Sequence, residues 1–194
     1  MNYSLMVKIN FHYREKLLNA IIYFVKHTKY CGKLKLLKLL YILDFVHFKQ
    51  TGKSVTGLDY YAWEHGPVPK TLFEELNIDK MPDDLKETIS IKKSQGGFLA
   101  IRPKRSFDPK YFSQRELDLL KKISYVFKEA KAEHMKEFTH LKNKPWDKTL
   151  KEKGLYQKID YLLAIDDSPD SLSLEVARER QEEREEMINV FESE

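Results

Sequence analysis

Cysteine is almost missing from this chain. Cys31 stands alone in 194 residues, which excludes an intrachain disulfide and any cysteine-rich zinc site. A lone thiol fits a reducing compartment. No apolar run reaches the roughly 18 residues that a membrane helix needs. The N-terminal segment MNYSLMVKINFHYREK lacks a basic stretch followed by an apolar one, so no signal peptide is expected. The expectation is a soluble cytoplasmic protein. Internal repeats and low-complexity linkers are absent. So are HExxH, His-x-His, a nucleophile elbow, GxGxxG and GxxxxGK[ST]. Concentrated basic charge is missing too: 34 Lys and Arg against 30 Asp and Glu give a net charge of +4 and a pI of about 8.9. That is mild for a nucleic-acid binder.

What remains is enough for a core. Hydrophobic residues make up 42% and aromatics 12%, while 33% are charged. This length fits one domain, or one domain with an appended helix. The expected division is a domain over 1–170 and a charged C-terminal helix over 171–194.

Periodicity predicts helices over Arg14–Lys29 and Leu34–Gln50. Between Leu36 and Phe48 only Lys38, Asp44 and His47 are not apolar. A helix apolar on nearly all sides is usually the central one. A strand follows over Leu58–Glu64, with Tyr60 and Ala62 on one face and Tyr61 and Trp63 on the other. Gly66-Pro67-Val68-Pro69 reads as a corner that ends strand structure, because prolines lack a donor, and Pro69 opens a helix over Lys70–Leu76. Residues 79–88 read as a polar connector with one short helical turn. Short β-prone runs around Gly96-Gly97 predict a hairpin over 89–102. Ser113-Gln-Arg-Glu116 is a capping box opening a helix over Gln114–Lys131. A shorter helix is expected over Ala132–Phe138, then an irregular segment over Leu141–Gly154. Ser173 caps a last helix, Leu174–Glu192, polar in its middle, which reads either as a solvent-facing helix docked by its ends or as a partner-binding helix. The fold class is α+β, mainly α-helical, with a small antiparallel β-sheet.

Several groups invite a chemical reading. Asp44 and His47 lie three apart on one helix face, so a carboxylate sits beside an imidazole that it could orient as a base. The structural alternative is that they satisfy backbone groups of the Thr-Gly or Gly-Pro loop, since leaving a buried polar group unpaired costs about 1–3 kcal/mol. His65, with Glu64 and His47, is a thin candidate for a metal. Asp44, His47, His65 and His140 converging on one pocket would make a hydrolase-like enzyme, and that rival stays open. Lys33, Lys35, Lys38, Lys49 and Lys53 bracket the second helix and read as solvated surface or, in a nucleic-acid-binding regulator, as phosphate contacts. Tyr60, Tyr61, Trp63 and Trp146 divide between core and interface.

The densest stretch is Leu36–Leu76, LLKLLYILDFVHFKQTGKSVTGLDYYAWEHGPVPKTLFEEL. Its apolar helix ending in Thr51-Gly52, the Val55-Thr56-Gly57 turn, Tyr60 with Ala62, and Gly66-Pro67-Val68-Pro69 resemble the Panacea domain of SocA-like antitoxins. Phe138-Thr139-His140, Pro145-Trp146 and the helix start at Ser113 are similar as well, so the resemblance runs over about 12–165. It implies a mainly helical domain with a small sheet, without catalytic activity, cofactor or metal. It implies an antitoxin that neutralises a toxin, commonly encoded beside it, by direct contact. Some relatives look like proteolytic adaptors, which would make a AAA+ protease a second partner, and related domains occur in phage. Asp44, His47, Thr51, Gly52, Thr56, Gly57, Ala62, Gly66, Pro69, His140 and Trp146 are then scaffold. Tyr60, Trp63, His65, Pro67 and Val68 are the candidate partner surface.

Overall fold

A computed structural model describes residues 12–93, 99–139 and 144–192, the side chains of 136–138 and 188–192 excepted. Helix α1 spans Tyr13–His27 and α2 spans Lys33–Thr51. Both start one residue before the predicted bounds. Helix α2 is the axis of the molecule. Leu36, Leu37, Leu39, Leu40 and Leu43 are all buried, because α1, α5 (Gln114–Val126), α6 (Ala132–Thr139) and the Tyr161–Ala164 turn pack around it. A helix enclosed from several directions has no polar face to keep, which accounts for its nearly uninterrupted apolar sequence. Gly52 ends it in the left-handed region (φ 70), its N–H bonding the Phe48 carbonyl at 2.7 Å.

Two small antiparallel sheets complete the mainly helical fold. Strand β3 (Ile89–Lys93) pairs with β4 (Leu99–Pro103), with Ile91 opposite Ile101. The Gly96-Gly97 turn of this hairpin lies outside the described residues. Strand β1 (Tyr61–Trp63) pairs with β2 (Gly66–Val68), Ala62 opposite Pro67. This corrects the expectation that the proline corner stops strand structure. Ala62 turns its N–H to the Gln157 carbonyl at 2.9 Å and its carbonyl to the Tyr156 N–H at 2.8 Å. Its hydrogen-bonding groups point away from β2, so the donor that Pro67 lacks is not needed there.

Helix α3 covers Lys70–Glu75. The polar connector holds a 3₁₀ turn, Ile78–Lys80, and α4, Asp83–Thr88. Arg14 of α1 fastens it, bonding Asp84 at 2.6 and 2.9 Å and Glu75 at 2.7 Å. The capping box of α5 forms, with Glu116 N–H on Ser113 Oγ at 3.3 Å and Ser113 N–H on Glu116 Oε2 at 2.7 Å.

Three further expectations need correction. Helix α5 ends at Val126 rather than Lys131, because the carbonyls that would continue it turn onto a buried lysine described below. Residues 145–153, expected to be irregular, form α7 (Pro145–Lys153). Pro145 occupies its first turn, where no N–H is required, and Gly154 stops it at φ 90. Helix α8 has the predicted bounds, Leu174–Glu192, yet its polar middle touches the domain. Arg180 bonds the Thr51 carbonyl at 2.7 Å and Arg184 lies 4.8 Å over the Tyr13 ring.

Candidate functional site

Asp44 is fully buried and accepts four hydrogen bonds from one short loop. Oδ1 takes the Val55 and Thr56 N–H groups, each at 2.8 Å. Oδ2 takes the Thr56 hydroxyl and, at 2.8 Å, the Tyr60 hydroxyl. Burial pushes its carboxyl up to about 6, against the pull of those donors. His47 places Nδ1 2.6 Å from the Lys53 carbonyl, which makes Nδ1 the protonated nitrogen. Burial lowers its pKa, favouring the neutral ring. Thr51 returns its hydroxyl to the His47 carbonyl at 2.8 Å. Each side chain is thus tied to backbone of the turn that follows α2, and no bond joins the two. His65 is exposed on the β1–β2 turn, and His140 lies outside the described residues. Among the described residues no three His, Cys, Asp or Glu side chains gather as metal ligands would. The converging site that an enzyme would need is not formed by Asp44 and His47.

The corner above this loop is held rigid. Trp146 Nε1 donates to the Trp63 carbonyl at 3.0 Å, joining α7 to β1. Lys38 Nζ reaches the His65 carbonyl and the Thr139 hydroxyl, each at 3.3 Å. Lys35 is 1% exposed. Its ammonium faces the carbonyls of Lys29 (2.6 Å), Phe127 (2.8 Å), Ala130 (2.6 Å) and Lys128 (3.4 Å). Burial lowers its pKa. The sequence pattern suits solvated surface or phosphate contacts for Lys35 and Lys38, and the fold buries both instead. On the enclosed sides of α2 a lysine is carried inside with the helix, and its ammonium then collects carbonyls or a hydroxyl. Of the other cations bracketing α2, Lys33 bonds Asn77 at 2.8 Å and Lys49 pairs with Asp166 and Asp170 at 3.0 and 3.3 Å.

The expected partner surface is only partly outside. Tyr60 is 0% exposed and its hydroxyl belongs to Asp44, so it is core rather than contact surface. Pro67 and Val68 are buried as well, forming the floor of a shallow groove of about 260 Å³ rather than its rim. Trp63 is half-buried, 5.0 Å from the Phe73 ring and 6.0 Å from Tyr156, and Glu64 and His65 are exposed. Beyond them lies apolar surface that the sequence reading did not single out. Leu34 and Tyr30 are each 57% exposed and Tyr156 is 62% exposed. A second groove of about 620 Å³, between Tyr30, Leu34, Phe73, Leu99 and Ala132, shares Leu34 and Phe73 with the first. Together they form one strip from Tyr30 to Tyr156. Lys33 crosses it, its ammonium 3.7 Å from the Phe73 ring centre. Leu34 carried a sequence signal: it is the outermost leucine of an otherwise buried helix.

The family model described as antitoxin SocA-like, Panacea domain, matches residues 36–147. The chain belongs to this family. No curated protein and no solved structure matches the chain. The Panacea match takes in α2 from Leu36 onward, the Asp44 loop, the proline corner, both small sheets and the first residues of α7, and Leu34 and Lys35 lie just before it. Helices α1 and α8 fall outside it. The Panacea core therefore contains Asp44 together with all four of its donors, and the corner together with Trp146.

Proposed function

We propose that this protein is an antitoxin that neutralises a cognate toxin, encoded nearby, by direct protein–protein contact in the cytoplasm. The contact face is the apolar strip from Tyr30 and Leu34 across Phe73 and Trp63 to Tyr156. The observation that carries this reading is Leu34, 57% exposed at the start of a helix whose other leucines are buried. Contiguous exposed apolar side chains beside a rigid corner are the usual anchors of a protein interface. Family membership supports an antitoxin role in general, and the candidate catalytic pair is committed to backbone. Among the described residues no helix is long and apolar enough to cross a membrane.

The mechanism on this reading is occlusion. The strip is preformed, so binding costs little ordering of the antitoxin and covers a functional surface of the toxin. Delivery of the toxin to a AAA+ protease is the finer alternative within the same role. The test is co-expression. The neighbouring gene product should arrest growth alone, and this protein should restore it and co-purify with the toxin. Rescue that disappears in protease-deficient cells selects the adaptor mechanism. If no neighbouring product is toxic, or none is relieved, the antitoxin reading fails.

A further inference from the structure

The C-terminal end of α2 carries a fitted notch. Gly52 lies there in the left-handed region (φ 70), and a Cβ built on it would sit 2.9 Å from Arg180 Cδ and 3.0 Å from Arg180 Cβ. The Thr51 carbonyl, in the last turn of α2, accepts Arg180 at 2.7 Å. One helical turn further along α8, Arg184 lies over the Tyr13 ring at 4.8 Å. Each part of this face suits an arginine. The unpaired carbonyls at a helix C-terminus favour a cation, the glycine makes room for the arginine stem, and the tyrosine face binds the second guanidinium.

Away from Arg180, the described part of the helix that fills the notch is loosely packed. Among the described side chains of α8, Ala177 is the one that is buried and apolar, and Leu174 is 44% exposed. A gap of about 420 Å³ remains between α8 and the turns below it, lined by Ser54, Gly57, Gln181 and Arg184 among others. Gln181 Oε1 and Arg184 Nε are buried without a hydrogen-bond partner among the described residues. Among the described residues, docking α8 therefore leaves Gln181 Oε1 and Arg184 Nε unsatisfied and buries one apolar side chain, Ala177. The chain before it is better anchored: Leu172 N–H bonds the Lys49 carbonyl at 2.9 Å, and Lys49 holds Asp166 and Asp170. Movement of α8 would hinge after Leu172 and leave the domain in place.

We propose that this face is a receptor for an arginine-bearing helix: α8 fills it in cis, and a partner helix with two arginines four residues apart takes its place. The face lies at the opposite end of α2 from Leu34 and does not depend on the toxin reading. Self-occupancy keeps it covered until a better-fitting helix of the same chemistry competes, an exchange set by the high effective concentration of the tethered helix.

The probe is a fluorescent synthetic peptide of residues 173–194, titrated into the full-length chain and followed by anisotropy. Wild-type protein should bind it weakly, because α8 competes. The full-length Arg180→Ala/Arg184→Ala chain, its own helix released, should bind the wild-type peptide at least about tenfold more tightly. A peptide carrying the same two substitutions should bind neither chain. Amide exchange should quicken over 174–187 in the double variant and stay slow over 114–126, showing that the domain is folded. Equal affinity for both chains, no binding, or a still-protected α8 in the double variant would overturn the proposal. If the full-length chain dimerises by exchanging α8 between copies, the occupant is a second copy and the assignment to a partner helix is overturned.

Discussion

Asp44 and Thr56 are joined twice. Asp44 Oδ1 accepts the Thr56 N–H at 2.8 Å and Oδ2 accepts the Thr56 hydroxyl. One carboxylate thereby fixes both the backbone and the side chain of the turn leaving α2. The strand that carries the proline corner starts from that turn, so the corner's position depends on a residue that no partner can touch.

Removing the carboxylate should cost stability. Asp44→Ala leaves the Val55 and Thr56 N–H groups and two hydroxyls without an acceptor in the interior. A loss of about 3–5 kcal/mol is expected in urea denaturation. Asp44→Asn, which keeps one oxygen for the two N–H groups, should lose less. A comparison of Asn with wild type also reads the carboxyl's titration. Its pKa is raised to about 6 in the fold, so the folded state holds a proton that the unfolded state has released. Its contribution is fully present below pH 4 and lost as pH rises through about 6. Wild-type stability relative to Asp44→Asn should therefore fall between pH 4 and 7. A flat difference would contradict the raised pKa.

Lys35 makes a second interior claim. Lys35→Met should destabilise the fold by about 3 kcal/mol, because carbonyls of the α1–α2 and α5–α6 joints lose their shared donor. Hydrogen exchange should quicken at 127–131. A Met variant as stable as wild type would mean that the cage adds nothing over an apolar filling.

Leu34 separates binding from folding. Leu34→Asp changes an exposed position and should alter stability by no more than about 0.5 kcal/mol. It should nonetheless abolish growth rescue in co-expression with the toxin. Full rescue by Leu34→Asp would move the contact face elsewhere. Tyr60→Phe should do the opposite, costing about 1 kcal/mol through the lost Asp44 bond and leaving rescue intact.

Acid should loosen two straps. The Arg14 guanidinium holds Asp84 below its ordinary value. Burial pushes Asp166 up, but Ser168, Lys49 and Lys144 outweigh it and hold it well below that value. Gln50, Ser168 and Lys49 lower Asp170 to about 2. Groups with depressed pKa values contribute stability above their unfolded value near 4 and lose it as pH falls through the folded one. The melting temperature should drop between pH 4 and 2. Lys49→Met should flatten that drop by removing a cation from both Asp166 and Asp170. An unchanged slope would show that the 166–170 turn is not held by charge.

Local signals were readable wherever one stretch of chain supplies all the physics. The bounds of α8 follow from a Ser cap and a continuous polar helix. The α5 start follows from a reciprocal Ser–Glu pair, and the hairpin strands from β-prone runs. The α7 helix is not legible because its composition is polar and its two punctuating residues, Pro145 and Gly154, suit breaks in the chain as well as a start and a stop. The early end of α5 was not legible, since the residue that ends it lies 92 positions away in α2.

The candidate surface divides the same way. Strand alternation put Tyr60 and Ala62 on one face and Tyr61 and Trp63 on the other, but alternation does not say which face meets the core. The Asp44 carboxylate and the Phe45 and Tyr161 rings decide that, by drawing Tyr60 inward. Arg180 and Arg184 likewise sit in a stretch that composition reads as solvent-facing, and only the Gly52 notch at the end of α2 and the Tyr13 ring of α1 give them a place. The sequence by itself determined most of the helices, the β3–β4 hairpin, the central helix and the family, because periodicity, caps and turns act over a few residues. The tertiary structure alone decided which lysines are buried, which aromatics face out and what the last helix covers. Those outcomes depend on groups far apart in sequence meeting where water is excluded, and an unmet polar group there is costly.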